Sequence, residues 1–386
     1  MLASEQNRKY FRSAFTIGKG GKLFQHSERA ILEQVFWNSE MTQSRISEAT
    51  RIPQQTMSRL VKTMLERGEI RITETLVQSA RGKPGYSIEP NPEYAYTFGL
   101  AILLDAISVA LMDFKGTVVD SEVILMDDMS VENVMSRAKQ SVKELTVKYQ
   151  IPEDRILGIG AGISGFFTST DGTMNTHHAL EEWSQLNISQ LIAERFQLPS
   201  WVVNDGTGAA AGEGVAGKGR QYKNFVYLFV SSAFGGGLIS NNDILHGTFG
   251  NAGEIGDMLP PKLYSHPNLE LLRRILLKHG IEVPSLYNLN ETFNDQWPGV
   301  DEWIYKVQDS FDLVATCSSA LLDTQAIIIG GHIPTALAEK VIPRIDVYAQ
   351  FRRGSKRPQP EIVSAGVKKT PVAVGAATLP LRELCF

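Results

Sequence analysis

The order of hydrophobic and polar residues predicts three short helices and a hairpin in the first quarter of the chain. The first helix follows Ser27, a suitable N-cap, and the second follows Thr42. The third helix, in "QQTMSRLVKTMLERG", places its apolar residues on one side and ends at Gly68, which suits a left-handed helix terminus. Two strands joined by the tip Ser79–Gly85 follow it. Three helices and a hairpin in this order predict a winged helix-turn-helix.

Beyond "PNPEY" (residues 90–94), which we interpret as a linker, strands alternate with helices. "FVYLFV" and "AIIIGG" have the length of strands, and "VENVMSRAKQSVKELTVKYQ" has the period of an amphipathic helix. This alternation predicts an α/β body. The apolar runs fall far short of the roughly 20 residues of a membrane span, and the first residues lack the apolar core of a secretory signal. We therefore expect a cytoplasmic protein with no membrane partner.

The charge is distributed unevenly along the chain. Residues 1–90 hold 14 Lys and Arg against 9 Glu and no Asp, a formal charge of +5. The whole chain carries −4, so the remaining residues carry −9. A basic first quarter on an acidic body favours an anionic partner that is held by the N-terminal part.

The start of the third helix carries side chains suited to DNA. In a helix-turn-helix this part enters the major groove, where we expect base or phosphate contacts from Gln54, Gln55, Thr56, Ser58 and Arg59. At the hairpin tip, Arg81 and Lys83 could reach a minor groove or a phosphate. The alternative is a small helical domain that contacts other proteins. The polar helix start, the basic tip and the charge asymmetry together favour double-stranded DNA.

A glycine motif in the body raises a different possibility. "GAGISG" (residues 160–165) matches the dinucleotide-binding pattern G-x-G-x-x-G. That pattern needs a helix directly after it, because the helix N-terminus holds the pyrophosphate. Here "FFTSTDGTMN" follows, with a turn signal at Asp171 and no helical period. The motif therefore predicts a turn rather than a cofactor site.

Three other stretches are suited to a carbohydrate. "VVNDGTGAA" ends a strand with Asn204 and Asp205, an amide beside a carboxylate that could bind neighbouring hydroxyls. We interpret "SSAFGGGL" (residues 231–238) as a Gly-rich loop that lets backbone approach a ligand. "HGTFGNAGEIGD" (residues 246–257) adds Glu254 and Asp257. Each stretch alone is more typical of a glycine turn; their order and spacing carry the signal.

Together these stretches resemble the ROK family, which groups sugar-responsive repressors with sugar kinases. "NDGTGAAAGE", "FGGGL", "GNAGEIGD" and "IIIGGHIP" match family motifs in the expected order. The resemblance implies a winged helix-turn-helix followed by a two-lobed ribonuclease H-like or actin-like α/β body. The expected divisions are an arm at 1–22, which we expect to be flexible, the DNA-binding unit at 23–90, a small lobe at 91–205 completed by the C-terminal helix at 373–386, and a large lobe at 206–372.

The resemblance also implies roles for individual residues. Asn204, Asp205 and Glu254 would line the sugar site, with Asp205 at the position of the catalytic base in family kinases. Glu270 in "HPNLE" falls where the family has another sugar-contacting Glu. Asp257 stands where many members have a histidine that contacts sugar and zinc, and could bind a hydroxyl instead.

Departures from the family pattern bear on catalysis and metal. The acidic position and the two glycines of the kinase phosphate motif are replaced by Ala101, Leu103 and Leu104, so we expect no ATP-dependent turnover. The zinc site of many members needs three cysteines near the histidine, and this chain has only Cys317 and Cys385. We expect no zinc and no other cofactor.

These observations predict a sugar-responsive transcriptional regulator, most simply a repressor whose operator affinity changes when a carbohydrate binds between two lobes. Two alternatives stay open: a sugar kinase with an added DNA-binding head, and a DNA-binding protein whose body is a ligand-independent dimerisation scaffold. A homodimer or higher homo-oligomer is expected, since such regulators usually read two-fold sites.

Overall fold

Three helices and a two-stranded hairpin form the N-terminal head. The computed structural model describes residues 7–12, 14–15, 21–78, 84–286, 289–348 and 357–386. The elements of the head are α1 (His26–Trp37), α2 (Gln43–Thr50), α3 (Gln54–Glu66), β1 (Ile70–Val77) and β2 (Gly85–Pro90). The two strands pair in antiparallel fashion, and Ile88 also forms an isolated bridge to Met41. The predicted order of helices and hairpin is confirmed.

The helix ends of the head agree with the sequence prediction at two positions and differ at one. Thr42 caps α2, because its hydroxyl accepts a hydrogen bond from the Arg45 backbone N–H at 3.3 Å. Gly68 follows α3 with φ of +73°, as the sequence predicts. The predicted cap at Ser27 is wrong. Gln25 precedes α1 and forms a reciprocal capping pair with Glu28, whose carboxylate accepts from the Gln25 backbone N–H at 2.9 Å.

The first half of the body contains a five-stranded sheet, whose strands come before and after a long helix in the chain. In chain order its elements are β3 (Tyr96–Ile102), β4 (Ala106–Asp113), β5 (Val118–Leu125), α4 (Val131–Lys148), β6 (Ile156–Ile163), β7 (Gly165–Phe167), β8 (Thr173–Thr176), β9 (Leu186–Asn187), α5 (Ile188–Phe196), β10 (Ser200–Asn204) and α6 (Asp205–Ala216). Strand β7 starts directly after "GAGISG" and pairs with β8, so a hairpin follows this motif where a dinucleotide site would need a helix.

The second half of the body repeats this arrangement. Its elements are β11 (Phe225–Val230), β12 (Phe234–Ser240), β13 (Asp243–Ile244), α7 (Leu269–Lys278), α8 (Leu289–Thr292), α9 (Val300–Leu322), β14 (Ala326–Gly331), α10 (Thr335–Val341), β15 (Glu361–Ser364) and α11 (Pro371–Cys385).

The two five-stranded sheets share one topology. Their strand orders are β10-β6-β3-β4-β5 and β13-β12-β11-β14-β15. In each sheet three consecutive strands form an antiparallel meander, and two later strands join the other side of its first strand in parallel. The repeated topology gives the body two similar lobes, as the family resemblance implies.

Helices α6 and α11 pack against each other between the two sheets, and glycines let them approach closely. An added Cβ on Gly375 of α11 would lie 1.6 Å from the Gly208 carbonyl oxygen of α6. On the first sheet, added Cβ atoms on Gly99 and Gly160 would lie 1.8 and 1.9 Å from carbonyl oxygens of α11. These contacts leave no room for a side chain, so the helix backbones lie directly on their neighbours.

The Gly-rich stretch at residues 231–238 has a different role from the one predicted. Most of it is not a loop, because Phe234 begins strand β12. An added Cβ on Gly206 of α6 would lie 2.5 Å from the Gly236 carbonyl oxygen, and one on Gly237 would lie 2.6 Å from Ala210. The glycines of β12 therefore allow α6 to pack closely on the second sheet.

The connection between head and body is packed rather than loose, so interpreting "PNPEY" as a linker is wrong. The Asn91 side-chain amide donates to the Gly68 carbonyl oxygen at 2.8 Å. The Tyr94 ring lies 4.9 Å from the Phe114 ring, centroid to centroid. One hydrophobic core continues from the helices of the head into the first sheet and α11.

The end of α1 also binds the body. The Phe36 ring lies 4.8 Å from the ring of the C-terminal Phe386, and the Phe36 carbonyl oxygen accepts a hydrogen bond from Arg220. A cation at this position is stabilised by the negative end of the helix dipole. In the hairpin, Glu89 accepts from Arg71 at 2.8 Å and from Lys115 at 2.6 Å. The head is thus attached to the body at several points.

Parts of the segment before the head are also docked. Asn7 is buried, and its side chain donates to the Ser200 carbonyl oxygen at 3.0 Å and accepts from the Ser200 N–H at 3.1 Å. Phe15 is buried and its ring lies 6.1 Å from that of Tyr94. For the described residues of 1–22, the expected flexibility is therefore wrong. Asn7 fastens this segment to the first residue of β10.

The divisions expected at residues 22, 90 and 205 stay predictions. Helix α6 packs against both α11 and β12, so its assignment to one lobe is a matter of definition. The C-terminal helix begins at Pro371, two residues before the expected start, and packs on the first sheet. In the part of the chain that the structure describes, every helix is too short or too polar to cross a membrane.

We predict that Gly375→Ala destabilises the protein, because its new methyl group would overlap the Gly208 carbonyl oxygen. The expected loss in free energy of unfolding is about 3 kcal/mol, the upper end of typical overpacking costs. Urea denaturation measures this loss. The matched control is Gly235→Ala, since an added Cβ there meets no atom within 4 Å. Equal stability of the two variants would contradict the close-packing account.

Candidate functional site

Asn204 lies at the end of β10 and caps α6. Its side-chain oxygen accepts from the backbone N–H groups of Gly206 at 2.8 Å and Thr207 at 3.4 Å. Its amide nitrogen donates to the Gly165 carbonyl oxygen at 2.8 Å. The side-chain oxygen is thus committed to the helix start. The amide keeps one further N–H that a ligand could use.

Asp205 is the first residue of α6 and is half-buried at the helix N-terminus. Burial raises the pKa of Asp205 to about 6, although hydrogen bonds from the Gly206 N–H and from Ser164 act in the opposite direction. The Gly206 N–H donates to the carboxylate at 2.8 Å. Asp205 is therefore a poorly solvated acceptor that a hydroxyl donor would satisfy.

Glu254 and Asp257 lie on the short helical turn that the "GNAGEIGD" stretch forms in the second lobe. Burial raises the pKa of Glu254 to about 7, and the negative charges of Asp205 and Asp257 raise it further. Asp257 is exposed. The structure therefore brings Asp205, Glu254 and Asp257 into one acidic site. Along the chain, Asp205 comes before the strands of the second sheet, and Glu254 and Asp257 come after β13.

A contact between Asn251 and Phe167 adds a residue that the sequence prediction missed. The Asn251 side-chain amide donates to the Phe167 carbonyl oxygen and accepts from the Phe167 N–H, both at 2.8 Å. This pair joins β7 of the first lobe to the loop that carries Glu254. Asn251 lies within a motif that the sequence singles out, but only the fold shows what it binds.

Glu270 lies in a neighbouring cleft rather than with the three other acids. Arg273 donates to both Glu270 carboxylate oxygens at 2.9 Å, a bidentate ion pair on α7. The cleft has a volume of about 200 Å³ and is also lined by Asp105 and Ser231. The sequence prediction missed Asp105, whose pKa burial raises and whose charge the nearby Arg273 favours.

His332 closes this cleft beside Ser231. The Ser231 hydroxyl and the His332 Nδ1 atom lie 2.9 Å apart. Burial lowers the pKa of His332 to about 4, so the ring is neutral near pH 7. A neutral ring contributes no positive charge for a phosphate group.

One of the three residues that replace the kinase phosphate motif lines the same cleft. Ala101 is buried within β3, and Leu103 is buried in the core that continues into the head. Leu104 lines the cleft directly, next to Asp105. The side chains of Leu104 and Asp105 therefore occupy the part of the cleft where glycines would let the backbone approach a phosphate.

The described residues contain no cluster of three or more His, Cys, Asp or Glu side chains that could hold a metal ion. His266, near the expected position of a zinc site in the family, has its Nε2 atom 2.8 Å from the Leu259 carbonyl oxygen. The absence of zinc and of other cofactors stays a prediction.

The predicted DNA-reading residues share one face of α3. Gln54, Gln55, Ser58 and Arg59 are exposed, and Thr56 is half-buried. The opposite face buries Met57, Val61 and Met64 in the core of the head. A solvent-facing helix start with amide, hydroxyl and guanidinium groups has the geometry of a recognition helix. Arg81 and Lys83 lie outside the described residues.

The comparisons with known proteins agree with this geometry. A family model described as the ROK family matches residues 97–268. Residues 97–268 form a ROK family domain. The xylose repressor of Bacillus spizizenii is 24% identical over 238 residues, which is 60% of this chain and 60% of the repressor. The alignment thus spans less than two thirds of that relative's length.

Solved structures show the fold that surrounds the ROK domain. A ROK family transcriptional regulator described as a homolog of the E. coli MLC protein matches with a TM-score of 0.68 at 17% identity, covering 93% of this chain and 96% of that chain. A ROK family glucokinase from Streptomyces griseus, solved with glucose and AMPPNP, matches with a TM-score of 0.56 at 18% identity, covering 74% and 99%. The predicted α/β fold, a winged helix-turn-helix on a two-lobed actin-like body, is confirmed.

We predict a pH dependence of stability from Glu254. Because its folded-state pKa is raised from an ordinary value of 4.5 to about 7, the folded protein binds a proton more readily than the unfolded chain. Its free energy of unfolding therefore falls as the pH rises through this range, and this contribution is constant above it. Glu254→Gln removes the effect. The melting temperature of the variant minus that of the wild type should therefore be larger at about pH 8 than at about pH 5.

Thermal denaturation at both pH values tests this difference. The matched control is Glu339→Gln, which neutralises an exposed glutamate on α10. If the melting temperature of Glu254→Gln differs from that of the wild type by the same amount at both pH values, the raised pKa of Glu254 is contradicted.

Proposed function

We propose that the protein is a sugar-responsive transcriptional repressor whose affinity for operator DNA changes when a carbohydrate binds between the two lobes. The observation that carries the proposal is that one chain holds both an exposed polar recognition face on α3 and the carboxylates Asp205 and Glu254 beside the lobe junction. The likeness to a xylose repressor and to a ROK transcriptional regulator supports it.

Asp205 and Glu254 are suited to bind sugar hydroxyls. A hydroxyl that donates to a buried carboxylate replaces the water lost on burial, so binding stabilises the charged forms. Asp205 directly follows β10 of the first sheet and Glu254 follows β13 of the second, and Asn251 already joins the two halves of the body through Phe167. A sugar that contacts both carboxylates therefore binds the closed arrangement better than the open one. This differential affinity is what a ligand needs to shift a conformational equilibrium.

The body is proposed to be non-catalytic. Leu104 and Asp105 stand in the cleft at the position of a phosphate loop, and the buried His332 is neutral. Kinase activity is the alternative, which the likeness to a ROK glucokinase favours. ATP-dependent phosphorylation of a sugar that Asp205→Asn abolishes would establish this alternative and overturn the non-catalytic proposal.

A selection experiment tests DNA recognition. The purified protein is mixed with fragmented genomic DNA of its source organism at ~0.15 M salt, because phosphate contacts alone give tight binding at low ionic strength. We expect retained fragments to share a short two-fold sequence, which the proposed homodimer would read with paired heads. Retention that is independent of sequence, with and without a panel of sugars, would contradict a specific regulator.

We predict that Arg59→Ala weakens operator binding by about 1–3 kcal/mol if Arg59 contacts a base. Fluorescence anisotropy with a labelled operator measures the change. The matched control is Lys139→Ala, which removes an equal charge from an exposed position on α4. Unchanged affinity for Arg59→Ala would move this residue off the DNA interface.

We predict that Glu254→Ala abolishes the response to the sugar while it leaves operator affinity without sugar unchanged. The carboxylate would no longer accept a sugar hydroxyl, whereas the head is untouched. Operator binding is measured with increasing sugar, and Glu339→Ala serves as the control. A response of normal size in Glu254→Ala would remove this residue from the sugar site.

A further inference from the structure

A cavity of about 280 Å³ lies beside the acidic site and has no role in the proposal above. It lies between the β7–β8 hairpin, the edge strand β10 and the loop of residues 246–250. Its size is close to the lower end of small-molecule sites, which hold roughly 300–1,000 Å³.

The walls of the cavity combine aromatic faces with uncharged hydrogen-bonding groups. Phe249, which is 60% exposed, and the half-buried Phe167 of β7 supply the aromatic surface, while Trp201 of β10 lines the cavity but is largely buried. The hydroxyl and amide groups come from Ser169, Thr170, Asn187, Ser189 and Thr248. The side chains of Ser169, Asn187 and Ser189 also form hydrogen bonds within the protein. A sugar ring has an apolar face of C–H groups and a rim of hydroxyls. The cavity therefore offers complementary surfaces to one such ring.

The charges at the cavity disfavour an anionic ligand. Asp171 and Glu383 are the acidic residues of the lining, and the described lining contains no Lys or Arg. Burial lowers the pKa of His246, which favours a neutral ring. A phosphate or a carboxylate group would meet the acidic side chains of the lining, while Lys22 and Arg382 outside it already interact with Glu383. The lining therefore favours an uncharged carbohydrate.

The cavity adjoins the acidic site along two separate segments. On β10, Val203 lines the cavity and lies two residues before Asp205, a step of about 6–7 Å along a strand. On the second lobe, Gly250 lines the cavity and directly precedes Asn251, whose side chain binds Phe167. The lining of the cavity therefore lies within a few residues of Asp205 and Glu254 on two separate segments.

We infer that the effector is an uncharged oligosaccharide of at least two rings. One ring binds Asp205 and Glu254, and the next ring lies in the cavity against Phe249 and Trp201. This inference rests on the proposed function, since it extends the same sugar site. It assigns the loop of residues 246–250 a role in selecting chain length.

Isothermal titration calorimetry with the full-length protein tests the inference. The probes are cellobiose, maltose, lactose and xylobiose, together with glucose, galactose and xylose as their component sugars. We expect at least one disaccharide to bind about tenfold tighter than either component. Phe249→Ala should remove this advantage and leave monosaccharide affinity unchanged. Phe249 is exposed, so the variant should fold. Tyr305→Ala, at an aromatic position that is 84% exposed, is the matched control.

Three outcomes overturn the inference. If monosaccharides bind and no disaccharide binds tighter, the cavity holds no second ring, and the sugar-responsive regulator stands. If Phe249→Ala weakens monosaccharides and disaccharides equally, Phe249 belongs to the first site. If none of the sugars binds, the inference and the sugar response of the proposed function both fail.

Discussion

The architecture depends on the direct backbone contact between α6 and α11. Gly208 and Gly375 meet where no Cβ fits, and Gly99 and Gly160 allow the first sheet to approach α11 equally closely. Gly206 and Gly237 do the same between α6 and the second sheet. Such contacts hold each helix directly against its neighbours, since close-packed atoms tolerate little compression. The residue that starts α6 is Asp205, so the packing of this helix also positions the carboxylate.

The candidate site lies at the N-terminus of α6, beside this packing. The raised pKa values of Asp205 and Glu254 have burial as their main cause, and the negative charge of Asp205 raises the pKa of Glu254 further. Buried like charges destabilise a folded protein unless a ligand satisfies them. The fold therefore holds a strained pair of groups beside a junction of two lobes. Glu270, by contrast, is neutralised by Arg273.

Much of the fold was predictable because hydrophobic periodicity is a local signal. The helices of the head, the long helix α4 and the strand–helix step at Asn204–Asp205 follow directly from it. The predictions that failed concern long-range contacts. "SSAFGGGL" has the composition of a loop, yet its glycines serve helix–sheet packing. "PNPEY" has the composition of a linker, yet Tyr94 lies in an aromatic cluster. Local sequence cannot report partners that lie far along the chain, such as Asn251 and Phe167.

The side chain of Asn7 has a consequence for solubility. Strand β10 is an edge of the first sheet, and edge strands expose N–H and C=O groups that can pair with another molecule. A side-chain amide carries the same donor and acceptor as a peptide group, and Asn7 offers both to Ser200. It thus occupies the place where an additional strand would begin to pair. Asn7 alone therefore protects the open edge of this sheet against aggregation, and no additional strand is needed to cover it.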